Sequence, residues 1–303
     1  MSDPQKSIDP DTLTQSISGW LENQIEKASF QWLSSTVKQL RTGGEDWEFF
    51  SSFSAVPRHT GKAPVQLSKK EQQEAEQLRP GWKPSRWTAD QLGRTLIVLS
   101  IAGRKKNEFL EKLEKAFISS DLGEGVALYQ TLPVLPYPEE LKARAAEGIR
   151  SNMTSVFNAV ALQNPYPADY FDEGAWNQVV LKALFVGSPL YQIQGVDERA
   201  NANLAQMLVE YAHERWSAGR PVSPELWRPV GPFIDQESVD DIKKVLNHPD
   251  TIQQEAAILA LSDSNKEEAR ALLENEKYRD LFKRVQDKKI TWEDIGKRFE
   301  NEE

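Results

Sequence analysis

Apolar residues recur at helical spacing along most of the chain, and alternating strand-like patterns are almost absent. In residues 9–44, Ile17, Leu21 and Ile25 fall on one face of a helix. Pro10 stands at the expected first helical position, and two glycines close the stretch, as is typical of a helix start and end. The pattern therefore predicts one helix over this stretch.

Two capping boxes mark further helix starts. Ser68 is followed by Glu71 and Thr88 by Gln91, so each pair can satisfy free N–H groups at the beginning of a helix. The apolar stretch RTLIVLSI after Thr88 is the best strand candidate in the chain. It follows a helix cap and lies among helical segments, so we predict a buried helix there.

Composition divides the chain along its length. Residues 56–67 and 79–87 are rich in proline, glycine and basic residues, which predicts loops. A charged tail follows the Trp-rich middle, and its pattern predicts short helices over 236–247, 251–262, 266–274, 277–287 and 291–299. We predict an all-α fold, a multi-helical bundle or HEAT-like α-solenoid. Its core domain would be 1–232, and residues 233–303 would form an acidic short-helix extension packed on the core or continuing it.

Residues 196–219 project as one helix with a polar stripe and a broad apolar face. The stripe contains Arg199, Asn203, Gln206, Glu210, His213 and Ser217. Leu204, Leu208 and Tyr211 lie opposite, and Trp216 stands beside them. The apolar face covers more than half of the circumference, which indicates a helix central to its domain.

The same helix carries the candidates for acid–base chemistry. His213 lies on the polar stripe, which suits a solvated histidine or a pocket wall, and Glu210 can meet it on one helix face. We name His213, Glu210 and Glu214 as the catalytic candidates. In HERWS, Ser217 stands where a zincin motif needs its second histidine, and the chain has no cysteine, so we expect no metal site.

Charged residues on apolar helix faces are the candidates for ligand binding. Arg215 projects into the apolar face, and a buried charge needs a partner. We predict that it clamps the following turn, SAGRPVSPELW, with a ligand-anion site as the alternative. Segment 173–187 is apolar on most sides and includes Trp176. Its polar residues Gln178 and Lys182 stand one turn apart. Lys182 either extends to solvent or is desolvated. The ligand-binding candidates are Arg199, Asn203, Arg215, Trp216, Trp176, Gln178 and Lys182.

Overall charge and missing motifs exclude several functions. The net charge is −9, and residues 235–303 contribute −6 of it through 18 acidic and 12 basic residues, so we expect no nucleic-acid partner. Neither GxGxxG nor GxxxxGK[ST] occurs, and we expect no cofactor. No apolar run reaches roughly 18 residues, so we expect no transmembrane segment.

Three blocks of the middle region resemble the EboA domain family. They are LPYPEELKARAAEGIRSNMTSVFNAVALQNPYP, AWNQVVLKALF and VDERANANLAQMLVEYAHERWSAGRPVSPELWRPVGPF, and the resemblance covers roughly residues 90–235. It implies a soluble helical protein of small bacterial gene clusters, whose neighbours resemble a membrane prenyltransferase, a TatD-type metal hydrolase and sugar-phosphate-processing enzymes. It also implies traffic or export of a secondary-metabolite precursor across the inner membrane. The family supplies no catalytic residues.

Two functions follow from these observations. The first is a non-catalytic helical binding or scaffold protein, with a ligand groove between segments 138–163, 173–186 and 196–219. Its partners would be a small-molecule metabolite and proteins of the same gene cluster, including a membrane prenyltransferase-like protein. We expect a cytoplasmic location, with the inner membrane reached through partners. The alternative is an enzyme without a known motif, a lyase, isomerase or hydrolase, with His213 and Glu210 as acid and base.

Overall fold

The computed structural model describes residues 9–235 and 238–301, and all regular secondary structure in them is helical. These residues contain no β-strand, and Pro64 and Thr88 form an isolated bridge. The all-α prediction is confirmed. The α-helices are α1 (Pro10–Glu22), α2 (Lys27–Arg41), α3 (Asp46–Thr60), α4 (Lys69–Leu78), α5 (Ala89–Ser100), α6 (Lys106–Ser119), α7 (Leu122–Thr131), α8 (Lys142–Arg150), α9 (Thr154–Ala161), α10 (Tyr166–Tyr170), α11 (Glu173–Val186), α12 (Ala202–Ser217), α13 (Ser238–Leu246), α14 (Thr251–Ser262), α15 (Glu267–Leu273), α16 (Arg279–Gln286) and α17 (Trp292–Glu300). Short 3-10 helices lie at Pro84–Arg86, Leu132–Val134, Pro138–Leu141, Leu190–Gln192, Pro224–Trp227, Gly231–Phe233 and Glu276–Tyr278.

The first predicted helix is wrong, because the chain forms two helices there. α1 ends at Glu22 with Asn23 as its cap, and the carbonyl group of Leu21 is satisfied locally, since the N–H groups of Gln24 and Ile25 both donate to it. α2 then begins after Glu26. The apolar spacing continues across this break, so periodicity alone did not reveal it.

The loop predicted from residue 56 is also partly wrong. Residues 56–60 form the last turn of α3, and Pro57 lies inside the helix. Pro57 lacks a donor, but its carbonyl accepts from the N–H of Gly61 at 3.1 Å, and Gly61 ends the helix with φ at 69°. Both predicted capping boxes are present, and RTLIVLSI lies in the buried helix α5 as predicted, except for Ile101, which caps its end.

The chain divides into two compact units, residues 1–170 and 171–303. In the first unit α5 is the central helix and packs against α1, α2, α3 and α7. Its two buried charges, Asp90 and Arg94, pair with each other at 2.8 Å, as burial of ions requires. The division expected from composition, between residues 232 and 233, stays a prediction.

In the second unit α14 is the central helix. It packs against the other helices of the tail and against the 3-10 helices Pro224–Trp227 and Gly231–Phe233. Gly231 is required at this contact, because a β-carbon there would lie 2.7 Å from the carbonyl oxygen of Ala260. Gly231, two residues before the predicted extension, thus packs directly on the charged tail.

The remaining helix predictions differ from the structure mainly at their ends. The helix over 251–262 is confirmed at both ends, and residues 236 and 237 of the predicted 236–247 lie outside the described residues, as do residues 1–8. The helix predicted over 196–219 begins only at Ala202, because Asn201 caps it by accepting from the N–H of Leu204 at 2.8 Å. None of the helices in the described residues is both long and apolar enough to cross a membrane. The HEAT-like arrangement stays a prediction.

Candidate ligand pocket

The second unit contains a pocket of about 200 Å³. Its walls come from the end of α11 and the loop after it, the last turns of α12, the segment leading into the 3-10 helix Pro224–Trp227, and α17. Gly187 ends α11 with φ at 75°, so the chain turns at once into the loop that lines the pocket. The apolar lining includes Leu184, Phe185, Tyr211, Val222 and Phe299, and the polar lining includes Ser188, Arg215, Ser223, Glu225 and Glu300.

Glu225 is the buried acid of this pocket, with 2% of its surface exposed. Its Oε2 atom accepts from the N–H of Leu190 at 3.0 Å, while its buried Oε1 atom has no hydrogen-bond partner among the described residues. Burial raises the pKa of this carboxyl to about 7. The backbone N–H groups of Leu190 and Tyr191 and the charge of Arg228 lower the pKa, but their effect is smaller than that of burial. The carboxyl is therefore partly protonated at neutral pH.

α17 closes the pocket against Glu225. A β-carbon at Gly296 would collide with the ring of Tyr191 and would lie 2.9 Å from Oε1 of Glu225, so a glycine is needed for this close packing. The hydroxyl of Tyr191 donates to Oε2 of Glu300 at 2.5 Å. Both contacts fix α17 as one wall of the pocket.

Arg215 is the cation of the pocket and is half-buried. Its Nε group donates to the carbonyl oxygen of Pro221 at 3.1 Å, and its own carbonyl accepts from the N–H of Arg220 at 2.9 Å. These bonds hold the turn that we expected Arg215 to clamp. Among the residues that the structure describes, neither Nη group of Arg215 donates to a protein acceptor, so both can bind an anion that enters the pocket.

Of the seven predicted ligand-binding residues, Arg215 alone lines this pocket. Arg199 lies over the ring of Trp176 at 5.0 Å, and Asn203 donates to Glu173 at 2.7 Å on the surface. Trp216 stacks on Trp227, with the ring centroids 5.8 Å apart.

The two remaining polar candidates lie on α11. Gln178 is exposed, and Lys182 is half-buried, with burial lowering its pKa.

Two of the three segments predicted to form a groove, 173–186 and 196–219, each give two residues to the pocket. The third, 138–163, belongs to the first unit as the separate helices α8 and α9, so the groove stays a prediction.

The three predicted catalytic residues lie on the exposed side of α12. His213 pairs through Nε2 with Oδ2 of Asp241 at 2.6 Å, Glu210 accepts from Gln206, and Glu214 is exposed. None of the three lines the pocket. The described residues also include no group of three His, Asp or Glu side chains placed to hold a metal ion. Acid–base roles for these residues stay a prediction that their positions do not favour.

Sequence reasoning missed Glu225, Tyr191 and Glu300. A local signal existed for Glu225, because it stands between Pro224 and Leu226 in an otherwise apolar segment, and a charge in such a setting is either paired or functional. No local signal marked Glu300, which reaches the pocket only because α17 packs against residues more than a hundred positions earlier.

Comparison with known proteins identifies the family of this chain. A family model described as "Metabolite traffic protein EboA" matches residues 13–231. The chain belongs to the EboA family. The match to the EboA model includes α11, α12 and Glu225, whereas α17 lies beyond it. No curated protein and no solved structure matches the chain. The EboA description points to metabolite traffic and leaves the ligand and the chemistry open.

Proposed function

We propose that this member of the EboA family is a non-catalytic binding protein of metabolite traffic and that the pocket of the second unit holds the metabolite. The family description supports the traffic role. The observation that carries the binding role is Arg215, which lines the pocket and whose two Nη groups have no protein acceptor among the described residues. The lining combines polar and apolar side chains in similar measure, and polar groups placed among apolar walls are typical of small-molecule sites.

The lining indicates the kind of metabolite. An anionic group would bind Arg215, and an apolar or aromatic body would pack on Leu184, Phe185 and Phe299. Phe185 is 74% exposed, although it is large and apolar. A ligand that covers this ring would gain the free energy of burying it. We therefore propose an organic anion with an apolar body as the ligand.

The other parts of the proposal concern partners and location. We propose that proteins of the same gene cluster, including a membrane prenyltransferase-like protein, bind the chain, and that helical hairpins of HEAT-like type form the scaffold for them. The acidic tail supports a docking role, since residues 235–303 carry a net charge of −6. In this proposal the protein is cytoplasmic and reaches the inner membrane through its partners.

The enzymatic alternative is favoured by one observation. Glu225 has a pKa of about 7 and lies in a pocket beside Arg215, and a carboxyl group of that kind can donate and accept protons at neutral pH. The reaction would be a lyase, isomerase or hydrolase step on the same metabolite. Glu225, rather than His213 or Glu210, would then be the acid and base.

Binding of two matched probes tests the proposed function. Benzenesulfonate is an anion, and methyl phenyl sulfone is a neutral molecule of nearly the same shape. We expect calorimetry or ligand-observed NMR to show at least about tenfold tighter binding of the anion, since one charge-assisted contact contributes roughly 1.5 to 3 kcal/mol. Arg215→Gln should abolish the difference. Arg220→Gln, which alters an exposed arginine of the same turn, should keep it.

Two results would contradict the binding function. One is equal affinity of the anion and the neutral probe, and the other is full retention of anion binding in Arg215→Gln. The enzymatic alternative is tested separately by incubating the protein with a metabolite extract of its own cells. A mass change that wild type produces and Glu225→Gln does not would favour the enzyme, whereas binding without any mass change would favour the carrier.

A further inference from the structure

We infer that the pocket takes up its organic anion together with one proton and that Glu225 carries this proton. The inference rests on the proposed binding function and adds to it the charge state in which the ligand is held. Proton uptake forms the O–H bond on the Glu225 carboxylate, and ligand release returns the proton to solvent. The ligand class is a weak or strong organic acid in its anionic form.

The geometry places the two relevant groups in one cavity. Arg215 and Glu225 both line a pocket of about 200 Å³, so an anion held by the guanidinium shares this cavity with the carboxyl group. Glu225 is 2% exposed, and its Oε1 atom has no partner among the described residues. An ionised Glu225 would repel the anion across a poorly hydrated space, whereas the protonated acid removes this repulsion and gains a donor.

Arg228 is the basic group that favours ionisation of Glu225. Arg228 follows the 3-10 helix that carries Glu225 and acts on it directly, but it also binds Asp197 through two hydrogen bonds of 2.6 and 2.7 Å. Arg215, on α12, lines the same pocket and would hold the anion. A bound anion adds a negative charge to the cavity, and this charge disfavours ionisation of Glu225.

The acidic groups around Glu225 favour the proton. Glu300, on α17, disfavours ionisation of Glu225, and its own partner is the hydroxyl of Tyr191. On α14 the titratable group is Glu255, which is held by Arg284 at 3.1 Å and by Arg298, so its charge is compensated. The pocket-lining residues of α11, Leu184 and Phe185, carry no charge. The basic residues of α17 pair with other acids, Lys297 with Glu293 and Arg298 with Glu255.

Thermodynamic linkage gives the consequence. If the anion binds only to the protonated form, its affinity is constant at acidic pH and falls by up to about tenfold for each pH unit above the pKa of Glu225. That pKa is about 7 in the free protein. Uptake in a neutral or slightly acidic compartment and release in a more alkaline one would follow from the same residue.

The test titrates benzenesulfonate, whose charge does not change in this range, into the full-length protein at about pH 5.5, 7 and 8.5. For wild type we expect the Kd to rise by about thirtyfold over the series, as a single proton with a pKa near 7 requires. Glu225→Gln should lose this dependence. Calorimetry of wild type in two buffers of different ionisation enthalpy should show uptake of about one proton at alkaline pH, and this needs no variant.

The outcomes separate the inference from the proposed function. Binding that depends on Arg215 but not on pH, or a Glu225→Gln variant with the wild-type pH dependence, overturns the proton uptake and leaves the binding function standing. Failure of the organic anions to bind at any of the three pH values overturns the binding function itself. A Kd that rises with pH in wild type alone, with matching proton uptake, supports both.

Discussion

Replacement of Glu225 by glutamine is expected to make the stability of the protein less dependent on pH. The pKa of this buried carboxyl is about 7 in the folded protein and 4.5 in its ordinary state. That gap corresponds to about 3 kcal/mol of preference for the protonated form. Because the folded pKa is raised, the stabilising contribution is complete below about pH 4.5 and is lost as the pH rises through about 7. Between about pH 5 and about pH 8, titration of this group alone should lower the free energy of unfolding of wild type by about 2.5 kcal/mol.

The measurement is urea unfolding followed by tryptophan fluorescence at several pH values. All other ionisable groups are the same in both proteins, so the quantity to compare is the difference in free energy of unfolding between wild type and Glu225→Gln at each pH. This difference should shift in favour of the variant as the pH rises. Glu198→Gln, at an exposed position, serves as the matched control and should follow wild type. Parallel curves for Glu225→Gln and wild type would refute a carboxyl that is buried in its protonated form.

Two further substitutions test the packing of the pocket walls. Gly296→Ala should lower the free energy of unfolding by about 1 to 3 kcal/mol, because the added methyl group collides with Tyr191. Gly19→Ala, in an exposed helical position with nothing within 4 Å, should instead be neutral or stabilise by up to about 1 kcal/mol, and a similar loss in both would contradict the argument. Arg215→Ala should lower the melting temperature through loss of its bond to Pro221, worth about 1 kcal/mol. An equally stable variant that has lost only anion binding would show that the clamp is unimportant.

Local signals in the sequence were enough to predict the type of most elements. The capping boxes at Ser68 and Thr88 determine where α4 and α5 begin, because the bonds that make them run between residues three positions apart. The break between α1 and α2 was missed because the apolar spacing continues through it. The position of such a break depends on local hydrogen bonds of the backbone groups at the helix end, and the spacing of apolar residues does not reveal those bonds.

The pocket could be predicted only in part. Arg215 stood out because a cation on an apolar helix face requires an explanation, and the structure places it in the pocket. Glu225 is buried by α17, which lies some seventy residues later in the sequence, and the raised pKa of the acid is caused by that burial. His213 attracted attention for its chemistry, but position on a polar stripe indicates exposure, and the ring is indeed on the surface.

The stacked indoles of Trp216 and Trp227 make the protein optically informative without any label. Trp216 directly follows Arg215, and Trp227 is two residues beyond Glu225, so the pair spans the two segments that carry the charged groups of the pocket. At a centroid distance of 5.8 Å and an angle of 27°, the electronic transitions of the two rings couple. Any movement of α12 against the 3-10 helix Pro224–Trp227 alters this coupling. Near-ultraviolet circular dichroism would register it as a change in a band specific to the pair.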